Sequence, residues 1–98
     1  MKLTVDYINW LKNKFYSILL GFEKNEDNLT TTIGSFIYHI EGLQIKLDED
    51  KQSTINTLLV TLEHLYDDSL QAEYDLSIIR REILNCMNLI GRFFKVGD

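Results

Sequence analysis

Across residues 70–94 the apolar positions recur at helical spacing. Ala72, Leu76, Ile79, Ile83, Cys86, Ile90 and Phe93 alternate steps of four and three, and Leu89 and Phe94 widen the stripe. The spacing predicts a helix of about 25 residues, ~37 Å long. The same alternation runs through Leu29, Ile33, Phe36, Ile40, Leu43 and Leu47, thickened by Ile37. Ile55, Leu58, Leu59, Leu62, Leu65 and Tyr66 make a third apolar face. Val5, Ile8, Leu11, Phe15, Ile18 and Leu19 make a fourth, at the start of the chain. Stripes of this kind cannot remain in water, and they bury one another most simply when helices lie side by side.

Polar residues punctuate the stripes. Thr4 is a good N-cap, with Asp6 in the favourable first turn. Gly21 is a plausible stop, which makes residues 21–27 the first connection. Asp27 or Asn28 then caps the second helix. Gly42 either ends that helix or is crossed at about 1 kcal/mol of propensity. The heptad persists to Leu47 and favours crossing. Asp48, Glu49 and Asp50 suit the opening of a third helix. Asp67, Asp68 and Ser69 form the next connection, and Asp68 with Gln71 resembles a capping box for the last helix. The expected elements are helices over 4–20, 28–46, 49–66 and 69–94, with a frayed tail at 95–98. Connections this short join antiparallel neighbours. The predicted fold is therefore an all-α, single-domain antiparallel four-helix bundle of up-down-up-down order spanning 1–98.

Composition agrees with long helices: 45% hydrophobic, 26% charged, five glycines and no proline. The lone Cys86 sits on the last stripe, where it reads as a small buried hydrophobe. Asp6, Asn9, Lys12, Asn13 and Lys14 interrupt any apolar core of a secretion leader, and no apolar run approaches a bilayer span, so a cytoplasmic location is expected. Isoleucine, asparagine, lysine and tyrosine are plentiful while Ala72 is the only alanine, which suggests AT-rich coding from an AT-rich genome or a mobile element.

Chemistry-bearing motifs are lacking. Neither His39 nor His64 has a glutamate three residues before it, the spacing that builds metal sites in bundles. The run Asp48, Asp50, Gln52 departs from a calcium loop, with Ser53 at the glycine position and Leu59 at the final glutamate. No phosphate loop, zinc-type cysteine pair or nucleophile elbow occurs. Catalytic residues, metal and cofactors are all expected to be none, and the chain is not read as an enzyme. Arg80, Arg81, Arg92 and Lys95 run down the last helix. They fit either a weak anion strip or solvated flanks paired with Glu73, Asp75 or Glu82.

Charge is the remaining signal. The net charge is −5, and positions 41–75 alone carry −7. Such a chain repels nucleic-acid backbones and attracts basic partners. In an up-down bundle the first and third connections share one end. That end gathers Glu23, Glu26, Asp27, Glu63, Asp67, Asp68, Glu73 and Asp75 against Lys24, with Tyr66 and Tyr74 interleaved. Helix capping and solubility account for such residues. A docking surface for a basic protein would use them too, rings as anchors and acids for steering. A second apolar flank on the first helix, Leu3, Tyr7 and Trp10, is either covered by a neighbour or offers a homodimer contact.

In size, acidity, helical character and AT-rich coding the chain resembles small, acidic, all-helical bacterial immunity proteins. The resemblance covers the chain as a whole and carries no diagnostic motif. It implies a cytoplasmic toxin inhibitor that neutralises a basic partner, such as a nuclease toxin domain, in a tight one-to-one complex. The alternative expectation is a self-associating helical regulator or adaptor, phage or mobile-element encoded, without catalytic activity.

Overall fold

The computed structural model describes residues 3–94, so the expected fraying at 95–98 lies outside the described residues. Four helices, α1 (Val5–Lys24), α2 (Leu29–Lys46), α3 (Gln52–Ser69) and α4 (Leu76–Phe93), run up-down-up-down. A single 3₁₀ turn, Glu49–Lys51, precedes α3. The body measures 41 × 19 × 19 Å, two helices wide in each short direction. Packing is closest between α1 and α4 and between α2 and α3, and the α1–α2 side is the most open of the four. The core holds the expected stripes, including Leu11, Phe15, Ile18, Ile33, Phe36, Ile40, Ile55, Leu58, Leu62, Leu65, Ile83 and Ile90.

The start of α1 follows expectation: the Tyr7 amide donates to Thr4 Oγ1 at 3.0 Å. Leu3, expected on a second flank, is instead in the core at 1% exposure, while Val5, expected inside, is 56% exposed. Leu3 and Ile8 bracket the cap at the positions of a hydrophobic staple, and both are buried. Gly21 does not stop the helix. The next residue, Phe22, is a buried anchor that draws another turn into the core. The chain leaves at Asn25, held at φ 53°, which closes the last turn in the left-handed conformation. Gly21 serves packing: a Cβ there would lie 2.6 Å from Leu29 Cδ1.

α2 runs through Gly42 to Lys46, as the heptad indicated. Asn28 takes the N-cap position without a side-chain capping bond; the Thr32 hydroxyl donates to its carbonyl at 3.1 Å. At the other end Gln52 Nε2 donates to the carbonyls of Gln44 (2.9 Å) and Leu47 (3.1 Å), satisfying acceptors that the helix terminus leaves free.

The largest correction concerns α4, which begins at Leu76 rather than 69. α3 continues to Ser69, residues 70–75 form the connection, and Ala72 is exposed outside any helix. The Asp68–Gln71 capping box does not form. Asp75 is the N-cap, its carboxylate accepting from the Ser77 amide (2.9 Å), the Ser77 hydroxyl (2.6 Å) and the Ile78 amide (3.4 Å). Three donors on one carboxylate outcompete a heptad that crosses the connection by coincidence. At the far end Phe93 is half exposed and Phe94 takes the core position.

Candidate functional site

The first and third connections do meet at one tip, and polar contacts join them there. Tyr74 Oη donates to the Phe22 carbonyl at 2.8 Å, with Asn25 Oδ1 at 3.5 Å, and its ring stands edge-on to Phe22 at 5.0 Å. Thr30 Oγ1 and Ser69 Oγ lie 2.8 Å apart, and Ser69 donates to the Tyr66 carbonyl at 2.6 Å. Arg80 reaches across to Glu23 at 2.7 Å. Glu26, Asp27, Glu73 and Asp75 are thus carried by two connections stapled to each other, and Glu23, Asp67 and Asp68 by the helix turns beside them.

The ten predicted site residues divide into groups. Glu26, Asp27, Asp67 and Glu73 are exposed at the tip. Glu23 is engaged by Arg80, the partner that sequence reasoning missed while pairing the arginines with Glu73, Asp75 or Glu82. Asp75 is occupied in capping, and the Ser77 hydroxyl together with the Ile78 and Ser77 amides holds its carboxyl below the ordinary aspartate range. Asp68 is half-buried, and burial pushes its carboxyl upward against the opposing pull of His64. Tyr74 is largely built into the staple. Glu63 and Tyr66 stand lower, on the α2–α3 side, where with Gly34, Ile37 and Asp67 they line a shallow depression of about 410 Å³. Arg80 and Arg81 share the tip and Glu63 lies apart from it, so its balance is −4 rather than the −7 counted with Glu63 and with Lys24 alone. The arginines sit in the first turns of α4, and placing them at the tip requires knowing that α4 starts at Leu76.

The α1–α2 side holds a second polar-aromatic feature. Tyr7 Oη and His39 Nε2 are 2.8 Å apart, and Trp10 stacks on Tyr7 while meeting His39 edge-on at 4.8 Å. Burial, then Lys46 and Lys14, lower the His39 pKa. Leu3 is buried and Tyr7 is half-buried and bonded across to α2, so of the expected dimer flank only parts of Tyr7 and Trp10 remain open. Cys86 is buried between α3 and α4, and desolvation raises its thiol to about 11, the pKa of a packed thiol rather than a nucleophile. Among the described residues no cluster of His, Cys, Asp or Glu is arranged to hold a metal ion. No helix among them is long and apolar enough to cross a membrane.

Comparison with protein-family models, with curated proteins and with solved structures gives no match.

Proposed function

We propose that this chain is a binding protein that docks a basic protein partner on its acidic tip, acting by occlusion rather than by chemistry. The observation that carries the reading is the joining of two connections and the adjoining end of α3 into one acid-rich surface. Glu26, Asp27, Asp67 and Glu73 stand exposed there without an ion pair among the described residues. Carboxylates held together in this way repel one another, which the fold tolerates and a cationic partner would relieve. The finer reading is an inhibitor of the bacterial immunity type, its partner a toxin domain whose own basic surface holds nucleic acid. The partner's positive residues would meet the tip first and set the encounter rate.

The test uses the tagged chain as bait in lysate of the source cell, beside a variant carrying Glu26→Lys, Asp67→Lys and Glu73→Lys. These positions leave the Asp75 cap and the Arg80–Glu23 pair intact. The expected result is a basic protein retained by the parent and lost from the variant, with association slowed by at least ~10-fold when the two proteins are purified and mixed. Equal retention and equal association rates would place docking elsewhere.

A further inference from the structure

Besides its buried stripe, α2 carries a second one that faces solvent along its whole length. Thr31, Ser35, Tyr38, Gly42 and Ile45 step four, three, four and three, and all five are exposed. Tyr38 is 81% and Ile45 87% exposed, the two barest large apolar side chains among the described residues. Gly42 lies between them, about one turn from the C-terminal end of α2, and a Cβ added there would meet nothing within 4 Å. The monomer therefore gives no packing reason for a residue that weakens the helix. Tyr38, Glu41, Gly42 and Ile45 enclose a hollow of about 250 Å³. They occupy positions i, i+3, i+4 and i+7, and the missing side chain at Gly42 lets the backbone of a facing helix come close there.

The flanking charges say which helix that is. With Tyr38 and Ile45 at d and Gly42 at a, Glu41 falls at g and Lys46 at e of the following heptad. Neither makes an ion pair within the chain among the described residues. A g residue and the e residue five positions on pair across two parallel helices, and within one helix they do not face each other. A second α2 laid parallel to the first completes two such pairs, Glu41 to Lys46 in each direction. In a parallel, in-register pair Ile45 therefore meets Ile45 and Tyr38 meets Tyr38 of the second copy, while Gly42 lets the two backbones come close between them.

We infer that the exposed face of α2 is a self-association surface, taking a second copy of this chain in a parallel, two-fold arrangement. Two heptads of contact bury less than the ~800 Å² per partner of a standard interface, so the dimer is reversible and weak. This inference does not depend on the role of the acidic tip.

Sedimentation equilibrium of the purified full chain at ~0.15 M salt tests it, from low micromolar to about 1 mM. Wild type is expected to pass from monomer to dimer over that range. Tyr38→Glu with Ile45→Glu stays monomeric at every concentration; both side chains are solvent-facing, so its circular dichroism remains that of wild type. Glu41→Lys and Lys46→Glu each weaken dimerisation by ~10-fold or more, and the double exchange restores it to within ~3-fold of wild type. A wild-type monomer at the highest concentration overturns the inference. So do single reversals without effect, or a double exchange that fails to rescue.

Discussion

Truncating Tyr74 probes the staple on which the acidic tip depends. Its hydroxyl donates to the Phe22 carbonyl, the closing turn of α1, from a loop 52 residues further along the chain. Tyr74→Phe removes that bond, with the longer contact to Asn25 Oδ1, and keeps the ring. A net hydrogen bond contributes about 0.5–1.5 kcal/mol. The lower half applies here, because the Phe22 carbonyl still accepts from the Asn25 amide at 3.2 Å. Tyr74→Ala also removes the edge-on contact with Phe22, about 0.5–1.5 kcal/mol beyond burial, together with the half-buried ring. The expected loss for Tyr74→Ala is about 3 kcal/mol, roughly 10–20 °C in Tm for a domain this size. Urea unfolding followed by circular dichroism measures the total. Native-state hydrogen exchange supplies the sharper readout: amides of Asn25 and Glu26 should exchange faster in the variant, although neither residue is near position 74 in sequence. A loss below about 0.5 kcal/mol, or loosening confined to residues 70–75, would refute the stapled tip.

Three further outcomes follow from the same contacts. Gly42→Ala meets open space within α2 and should stabilise the dilute monomer by about 0.5–1 kcal/mol in urea unfolding; destabilisation would mean that α2 does not run through that position. Asp75 is depressed in the folded state, so its carboxylate adds stability that is present above the ordinary value of 3.8 and is lost as pH falls through the lower folded value. The stability gap between wild type and Asp75→Ala should be constant near neutrality and narrow below that value, and a gap independent of pH through the acid range would contradict the cap. Cys86, with its thiol raised to about 11, should react with a thiol-specific disulfide reagent at pH 8 only as fast as the protein opens; labelling complete on mixing would contradict its burial.

The stripes made the four helices legible because burial enforces their period. Ile33, Phe36, Ile40 and Leu43 point inward as their spacing requires, and Gly42 could be crossed because Leu43 and Leu47 beyond it are both buried. Ends were less legible, since they are decided by competition between local bonds. Gly21 reads as a stop but serves the approach of Leu29, and Phe22 carries the helix past it. The spacing of Asp68 and Gln71 suggests a cap, but the three-donor geometry that forms is around Asp75. That one difference moves the start of α4 by seven residues and brings Arg80 into reach of Glu23. The acidic tip was visible as topology plus charge, whereas its neutralising arginines and the role of Tyr74 needed side-chain positions. The bare face of α2 went unread because its buried stripe already accounted for a helix. Tyr38 and Ile45 matter through their exposure, which periodicity alone does not report.

The proposed docking function rests on the first and third connections sharing one end of the molecule. Spin labels on Asp27→Cys and Ala72→Cys, in a Cys86→Ala background diluted with unlabelled protein, measure this by dipolar spectroscopy. Both positions are exposed and lie outside the helices. A helix of 18 residues spans about 27 Å, and the body is 41 Å long. The expected result is a single distance below about 25 Å, label linkers included. A distance above about 30 Å would put the two connections at opposite ends and remove the acidic tip.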